Sequence, residues 1–361
     1  MNHDKKRTPR RKMQDTTLRE ISEITGFACS TVSAVLNDDS KCYASVKTKE
    51  KILKAAGELN YHPNLLYRGL RAKKTNTIGL IVPNLHVNVS IASIELIEDL
   101  AWKAGYHLFL GYSKNDVDKE EVLLKDFISR RVDGIILVVG VERRCRPELQ
   151  YLLEQDFPLV TIGKLAHFDC SFVTTDYYWG GQLAARHLND AGHKKVLLFD
   201  EFPPPSASLR MNGFRDTAKK YNMKIDEVFL VNGKMEKKMA VFSEEYLITE
   251  SVSIFKKLLK SKGPTGVFAA NDAMALGVLK AAREMGIGVP DELSVIGFDD
   301  TPIAAFASVP ITTIRQKKEE MSRKVVKLLM DKIEGEEEIL QEYILPELVV
   351  RSSTGSAKEG R

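Results

Sequence analysis

The chain has 361 residues, of which 43% are hydrophobic and 28% charged, and its formal net charge is +4. This composition excludes a wholly disordered chain, and the length allows about two or three folding units. The longest apolar run, over residues 134–141, is far shorter than the roughly 18–20 residues that a membrane-spanning helix needs. The charged N-terminus has no apolar segment of the secretory kind, so we expect a cytoplasmic protein.

The charge is unevenly distributed along the chain. Residues 1–75 hold 16 basic and 8 acidic side chains, whereas the remaining residues hold 37 basic and 41 acidic ones. A basic N-terminal segment followed by a mildly acidic remainder is typical of a polyanion-binding module joined to another domain. A solvated basic tail over residues 1–15 would produce much of the same excess, so the charge suggests nucleic acid without establishing it.

Three short helices are predicted after the basic tail. Thr17 is a suitable N-cap with Glu20 three residues later, and Gly26 is a suitable left-handed terminator, which predicts a first helix over 17–25. A second helix begins at Cys29 or Ser30 and ends at residue 36, and a third covers about 45–60. The residues expected to face the core are Leu18, Ile21, Ile24, Val32, Val35, Leu36, Val46, Ile52, Leu53, Ala56 and Leu59.

The first two helices, joined by a tight turn, predict a helix-turn-helix. The second helix of such a unit is able to enter the DNA major groove. Its outward side chains, Ser30, Thr31, Ser33 and Ala34, are small, so the backbone is able to approach DNA and the hydroxyls to reach phosphates or base edges. Three-helix units that never contact DNA share this pattern, which leaves that alternative open.

From about residue 76, apolar strand-like runs alternate with helical patterns. Such repeats predict parallel sheets with helices on both faces, and ligands bind these sheets at the carboxyl ends of the strands. The predicted strands are 77–82, 107–111, 134–140, 159–163, 195–200, 267–270 and 293–298. The predicted helices include 91–104, 120–130, 180–191, 244–259 and 272–285.

Specific motifs occur in both parts of the chain and make a resemblance visible. They are TLREI from Thr17, STVSAVLN from Ser30, TKEKI from Thr48, LNYHPN from Leu59, NTIGLIVP from Asn76, VFAAND from Val267, SVIGFDD from Ser294 and ITTIRQ from Ile311. With these motifs in this order, the chain resembles the lactose-repressor (LacI/GalR) family over nearly all residues after the basic tail. The resemblance implies an α/β protein with an all-α helix-turn-helix DNA-binding domain and a two-lobed, periplasmic-binding-protein-like sensor with parallel sheets.

The resemblance also implies how the chain is divided. The helix-turn-helix domain covers 16–62, the hinge 63–75 and the effector-binding and dimerisation domain 76–361. The sensor chain crosses between its lobes near 174–176, 314–317 and 344–346, so that lobe 1 holds about 76–175 and 317–344, and lobe 2 about 176–314 and 346–353. The family associates through the sensor lobes, and the short polar C-terminus lacks the heptads of a tetramer, so a homodimer is implied.

The family motifs imply a set of DNA contacts. These are Thr17, Leu18, Cys29, Ser30, Thr31, Ser33, Ala34, Asn37, Ser45, Thr48, Tyr61, Asn64 and Leu70. By position, Leu70 is the hinge leucine that wedges into the minor groove and kinks the duplex. Ala34 stands where the family often has arginine, the commonest reader of guanine, and Cys29 offers only packing or a weak donor. The operator sequence of the family therefore does not transfer to this chain.

The effector-site candidates implied by the family are Asn84, His86, Asp176, Arg210, Asn271 and Asp299. The fork of donors on Arg210 suits adjacent hydroxyls or a carboxylate. Helix capping is the simpler role around Asn271 and Asp299, and we expect Asp272 and Asp300 to be N-caps. No Phe or Tyr follows the first strand over 84–90, where many relatives stack a ring on the ligand. A sugar or sugar derivative is thus implied by the family and not by these residues.

The predicted function is a sequence-specific transcription regulator, a repressor, whose operator affinity is controlled by a small molecule. The alternatives are an exported or cytosolic sugar-binding protein, a sugar-acting enzyme, or an activator. Hydrolase, zinc-protease, phosphate-loop and dinucleotide motifs are absent from the sequence, so we expect no catalytic residues and no cofactor. The four cysteines have neither metal-ligand spacing nor a nearby histidine cluster, which favours free thiols over a disulfide or a zinc site.

Overall fold

The computed structural model describes residues 16–36, 42–61, 74–83, 91–140, 147–201, 209–230, 243–258 and 263–357. The chain divides into two compact units, residues 1–75 and residues 76–361. Over the described ranges, no helix combines the length and the hydropathy that a bilayer-crossing segment requires. The mixed α/β fold class predicted from the sequence is confirmed.

The N-terminal unit consists of α1 (Leu18–Thr25), α2 (Cys29–Leu36) and α3 (Val46–Glu58). Thr17 Oγ1 accepts a hydrogen bond from the Glu20 backbone N–H, and the Glu20 carboxylate accepts from the Thr17 N–H at 2.7 Å. This reciprocal capping box begins α1, and Gly26, with φ of +75°, ends it. Ser45 caps α3 by accepting from the Thr48 N–H at 3.2 Å. The start and stop signals found in the sequence thus act as predicted.

The core of the N-terminal unit is narrower than its sequence pattern suggested. Its buried members are Ile21, Val32, Val35, Ile52, Ala55 and Ala56. The prediction was wrong for Ile24, Val46 and Leu53, which are exposed. Short helices in a three-helix unit bury one stripe only, and positions four apart share it. The stripe of α1 therefore passes through Ile21 and Thr25, whose buried hydroxyl donates to the Ile21 carbonyl at 2.6 Å.

Thr17→Ala is expected to lower the local stability of α1 by about 1 kcal/mol, because the backbone N–H of Glu20 loses its acceptor. Hydrogen exchange on the full-length chain should then show roughly fivefold less protection of the α1 amides. Arg19→Ala is the control, since it removes only an exposed ion pair with Glu23. Equal protection in Thr17→Ala and wild type would show that the capping box does not stabilise the helix.

The 76–361 unit contains two six-stranded sheets. The first has the order β11-β5-β4-β3-β1-β2 and, with its helices, forms lobe 1; the second has the order β12-β10-β9-β8-β6-β7 and forms lobe 2. The strands are β1 (Thr77–Val82), β2 (His107–Tyr112), β3 (Gly134–Val138), β4 (Leu159–Ile162), β5 (Ser171–Thr175), β6 (Lys195–Asp200), β7 (Lys224–Phe229), β8 (Gly266–Ala269), β9 (Ser294–Asp299), β10 (Thr312–Arg315), β11 (Gln341–Ile344) and β12 (Glu347–Val349). The described pairings are parallel except for β10 with β12.

Helices cover both faces of each sheet. They are α4 (Ile91–Lys103), α5 (Val117–Ser129), α6 (Pro147–Glu154), α7 (Tyr177–Asp190), α8 (Leu209–Lys220), α9 (Glu244–Leu258), α10 (Asp272–Glu284), α11 (Pro302–Phe306) and α12 (Lys318–Ile333). All five residues of β3 are buried, as expected of a parallel strand covered on both faces. The chain crosses from one sheet to the other three times: after β5 and before α7, after β10 and before α12, and after β11 and before β12.

Candidate DNA-binding and effector sites

Small side chains form the outward face of α2. Cys29 and Ser30 are exposed, and Thr31, Ser33 and Ala34 are half-buried, whereas the valines on the opposite face are buried. A helix without long side chains on its outer face lets its backbone approach a duplex closely. The structure therefore places these five candidates on one surface, and their contact with DNA stays a prediction.

Four further DNA-contact candidates lie at the starts of helices. Thr17 and Leu18 begin α1, and the Ser45 and Thr48 hydroxyls are 2.9 Å apart at the start of α3. Backbone N–H groups at such helix starts attract phosphate. Tyr61 is half-buried against the core of the unit, where burial raises the pKa of its phenol. The remaining candidates, Asn37, Asn64 and Leu70, lie outside the described residues.

Lys51 supports the turn between α1 and α2, a role that the sequence analysis missed. Its Nζ donates to the Thr25 carbonyl at 2.9 Å and lies 5.4 Å from the ring centroid of Phe27. The two ends of this contact are far apart in the sequence, so no spacing rule pairs them. The turn is thus fixed by a charged side chain of the third helix.

Arg210 lies at the start of α8, against two aromatic rings of lobe 2. Its guanidinium carbon is 4.6 Å from the ring centroid of Phe298 and 5.2 Å from that of Tyr177. One terminal nitrogen donates to the Ala270 carbonyl. The Nε atom is buried and has no hydrogen-bond partner among the described residues. Stacking on aromatic faces fixes the plane of the guanidinium and leaves a donor for an incoming group.

Asn271 stands beside Arg210, at the carboxyl end of β8. Its carbonyl oxygen accepts from the Met274 N–H at 2.9 Å and so caps α10, and its amide nitrogen donates to Glu201 at 2.7 Å. Burial raises the pKa of Glu201 to about 7, although the positive charge of Arg210 opposes this shift. Glu201 follows β6 directly, so the rule that ligands bind at the carboxyl ends of parallel strands points to it as well. The sequence analysis did not apply the rule there.

Asp299 ends β9 and belongs to a relay of four side chains. The Gln316 amide donates to Asp299 at 2.5 Å, and its carbonyl oxygen accepts from the Thr175 hydroxyl at 2.8 Å and from the Tyr177 hydroxyl at 3.3 Å. These four residues, which we call the Gln316 relay, join the effector candidate to the first two crossings between the lobes. Asp299 has φ of +103°, a conformation that is strained for a residue other than glycine.

Asp272 and Asp300 are not N-caps, contrary to the prediction. The N-caps are Asn271 for α10 and Thr301 for α11. The Asp272 carboxylate is buried and accepts from the N–H and hydroxyl of Thr301 and from the hydroxyl of Thr313. The Asp300 carboxylate pairs at 2.6 Å with Arg315 and at 2.6 Å with Arg351. Each carboxylate is thus held by donors from elsewhere in lobe 2, which local sequence does not show.

A cavity of about 450 Å³ opens where lobe 1 meets the first crossing. It is lined by Val138, Val139, Ile162, Gly163, Lys164, Thr174, Thr175, Asp176, Tyr177, Tyr178, Leu209, Met321 and Tyr343. We call it the interlobe cavity. Asp176 lies in its wall, where it accepts from the Trp179 N–H at 2.8 Å and caps α7. A volume of this size suits a small organic ligand.

The effector candidates thus fall into two neighbouring groups. Arg210, Asn271 and Asp299 gather at the strand ends of lobe 2, and Asp176 lies in the wall of the interlobe cavity. The ring of Tyr177, which contacts both, connects them. Asn84 and His86 lie outside the described residues, and all six stay predictions.

Three of the four thiols are described, and each is free: Cys29 is exposed, Cys42 half-buried and Cys170 buried. Burial raises the pKa of the Cys170 thiol, which keeps it protonated. Within the described ranges, three or more His, Cys, Asp or Glu side chains are nowhere arranged to hold a metal ion.

Comparison with known proteins agrees with this geometry. A periplasmic binding protein-like domain model matches residues 185–354, and a model described as bacterial regulatory proteins, lacI family, matches residues 17–64. The HTH-type transcriptional repressor PurR of Pasteurella multocida is 31% identical over 345 residues, an alignment that covers 94% of this chain and 99% of that protein. The matched relative is named as a repressor and not as an enzyme, so the enzyme alternative loses its support.

Two solved structures show the same fold. The lac repressor dimer bound to operator and the anti-inducer ONPF superposes with a TM-score of 0.80 at 23% identity, covering 95% of this chain and 100% of that chain. A periplasmic binding protein/LacI transcriptional regulator from Alkaliphilus metalliredigens, complexed with D-xylulofuranose, superposes with a TM-score of 0.65 at 28% identity, covering 77% and 99%. The similarity to the PurR repressor extends over both units of the chain. The chain therefore belongs to the lacI family of bacterial regulatory proteins.

Proposed function

We propose that this protein is a transcriptional repressor that binds a two-fold operator as a homodimer and responds to a small organic effector in the interlobe cavity. One observation carries the proposal: the same chain contains two features. The first is a helix-turn-helix whose second helix, α2, has small side chains on its outer face. The second is a two-lobed fold with the interlobe cavity next to the first crossing. The PurR relative, which is similar over nearly the whole chain, is named as a repressor. A protein whose partner is genomic DNA works in the cytoplasm.

The surface of the 76–361 unit supports a homodimer. Phe109 and Leu110 are exposed on β2, which is an edge strand of the first sheet, and Trp102 is exposed on the preceding helix. On lobe 2, the Phe306 side chain is 88% exposed. Exposed apolar edges of this kind invite pairing with another chain, and a two-fold dimer matches a two-fold DNA site. Each lobe therefore contributes a surface suited to a second copy of this chain.

The Gln316 relay supports coupling between ligand and DNA. It holds two crossings and the strained Asp299 together, so a ligand that contacts Asp299 or Tyr177 acts on the segments about which the lobes move. A ligand shifts the population of lobe arrangements only by its difference in affinity for them. Contacts from both lobes supply such a difference. We propose Asp176, Arg210, Asn271 and Asp299, with Asn84 and His86, as the effector contacts.

Selection of full-length protein on random duplexes is expected to enrich a two-fold symmetric site. Ser30→Glu is expected to weaken binding to that site by at least about 100-fold, because it places a negative charge against the phosphates. Ser129→Glu is the matched control, since it adds the same charge at an exposed position of α5 in lobe 1. Binding by wild type should also fall steeply with salt as counterions are released. Equal affinity of the two variants would contradict the proposed DNA surface.

A further inference from the structure

The lobe 1 wall of the interlobe cavity is mostly apolar, and this bears on the class of effector. Val138 ends β3 and Val139 follows it, Ile162 ends β4, and Met321 lies on α12; all four line the cavity. A polyol carries a hydroxyl on nearly every carbon, and each hydroxyl that faces such a wall loses its hydrogen bonds to water without replacement. An apolar or aromatic body makes favourable contacts with the same wall.

Most polar side chains that line the cavity are already bonded within the protein. Thr175 and Tyr177 donate to Gln316, and the Tyr178 hydroxyl donates to Asp216 at 2.9 Å. Asp176 accepts from the backbone at the start of α7. A ligand rich in hydroxyls would therefore meet few free partners on the described walls.

Two cationic side chains lie at the interlobe cavity or next to it in the chain. Arg210 follows Leu209 of the cavity wall, lies over the ring of Tyr177, and keeps its buried Nε without a described partner. Lys164, which follows β4 in lobe 1, lines the cavity, is exposed, and makes no ion pair with any described residue. A guanidinium with a free donor suits an oxyanion, and a second cation in lobe 1 adds to the attraction.

The acidic groups nearby leave this attraction in place. The Asp299 carboxylate accepts from Gln316, and Asp176 lies at the positive end of α7. Glu201 faces Arg210 on α8, Asn271 at the start of α10, Asp299 on β9 and its own neighbour Asp200. Burial raises its pKa to about 7, so it carries less negative charge below neutral pH.

Resting on the proposed function, we propose that the effector is an organic oxyanion, such as a carboxylate, with an apolar or aromatic body. The body packs between the lobe 1 wall and Tyr177, and the anionic group binds Arg210, with Lys164 as the second cation. This ligand class departs from the sugar or sugar derivative that the family resemblance implies.

The test is calorimetric titration of full-length protein with matched probes. We expect saturable binding of 3-phenylpropionate or cyclohexanecarboxylate, at least tenfold weaker binding of 3-phenylpropan-1-ol and cyclohexylmethanol, and no binding of glucose or ribose. The carboxylates should bind more weakly as pH rises through about 7, because Glu201 then ionises next to Arg210. Preference for a sugar, equal affinity for acid and alcohol, or no saturable binding by either carboxylate would overturn the inference.

Variants separate the role of the charge from that of packing. Arg210→Lys keeps the positive charge and loses the paired N–H donors of the guanidinium. It should weaken carboxylate binding about tenfold without changing alcohol binding. Arg215→Lys is the matched control, since Arg215 lies on the same helix and pairs with Glu227. Lys164→Gln, at an exposed position, should weaken carboxylate binding about threefold with no change in melting temperature. If neither Arg210→Lys nor Lys164→Gln alters the preference for acid over alcohol, the anion site is wrong.

The same preparations distinguish this inference from the proposed function. Duplex selection without any probe reports on DNA binding alone. A protein that enriches a symmetric site but ignores the carboxylates contradicts only the ligand class. A protein that binds the carboxylates and prefers no duplex contradicts the repressor.

Discussion

Gly181→Ala is expected to destabilise the 76–361 unit by roughly 3 kcal/mol or more and to abolish the effector response. A Cβ at Gly181 would lie 1.8 Å from the Arg210 carbonyl oxygen and 2.7 Å from the Phe214 nitrogen. Across the same contact, a Cβ at Gly213 would lie 1.9 Å from the Tyr178 carbonyl oxygen. The obstructing atoms are backbone, so no side-chain rotation relieves the clash, and α7 and α8 have to separate. Overpacking of this kind costs about 1–3 kcal/mol where side chains yield, and more where they do not.

The backbone contact between α7 and α8 also positions Arg210, so the substitution is expected to impair the effector response as well as the stability. The backbone carbonyl of Arg210 packs on Gly181, and the guanidinium of the same residue lies over the rings of Tyr177 and Phe298. Calorimetric unfolding of the full-length chain measures the stability, and the change in operator affinity on effector addition measures the response. Gly57→Ala is the control, because Gly57 lies in α3 with nothing within 4 Å of a Cβ. That change should be neutral or stabilising by up to about 1 kcal/mol. A Gly181→Ala protein that unfolds like wild type would show that the helices do not touch there.

Asp272→Ala is expected to lower the free energy of unfolding of the 76–361 unit by about 3 kcal/mol. The Thr301 N–H, the Thr301 hydroxyl and the Thr313 hydroxyl would all lose the buried carboxylate that accepts their hydrogen bonds. The affected groups tie α10 to the segment after β9 and to β10, so the loss spreads through lobe 2. Urea unfolding at pH 7 measures it. Asp116→Ala is the matched control, since Asp116 is exposed and accepts only from the two N–H groups at the start of α5. That change should cost about 1 kcal/mol. Equal losses in the two variants would contradict the importance of burial.

Asp272 also gives stability a dependence on pH. Burial raises its pKa from 3.8 to about 7, with repulsion from Asp299 acting in the same direction. The folded protein therefore retains a proton that the unfolded chain releases, and the stability contributed by this group is lost as pH rises from about 4 through about 7. Glu201 acts in the same sense. Asp272→Asn should flatten the fall of the urea midpoint between pH 5 and pH 8 without abolishing it. A steeper fall in the variant would contradict this assignment.

Capping residues and apolar runs in the sequence predicted the helices and strands whose formation depends on such local features. The capping residues Thr17 and Gly26 marked α1, and the apolar runs of β1, β3 and β6 predicted parallel strands that are buried at all or nearly all of their positions. Strand β7 escaped prediction because it is an edge strand with a polar sequence, and β12, at the other edge of the same sheet, is only three residues long. Helix α8 did so because Gly213 interrupts its pattern, and that glycine is explained only by the contact with α7. Position at the sheet edge accounts for β7, and a contact between helices accounts for α8.

The candidate site was predictable where family motifs or strand ends marked it. Arg210, Asn271 and Asp299 contact Phe298, Glu201 and Gln316 at the strand ends of lobe 2, and their contact with an effector stays a prediction. The sequence analysis did not identify Glu201 or the Gln316 relay. The two donors to Gln316 lie about 140 positions away in the chain, and only the crossing of the lobes brings them together. Residues whose role depends on such crossings have no periodic pattern to reveal them.

The small outer side chains of α2 have a consequence for how this regulator and its targets change over time. With α2 as the proposed reading helix, a surface with few long donors distinguishes few base edges directly, so discrimination among sites depends more on how readily a sequence bends or narrows its groove. Energies of that kind vary gradually from one sequence to the next. Promoters controlled by such a protein are able to drift by single bases without abrupt loss of control, and new ones are acquired through small steps.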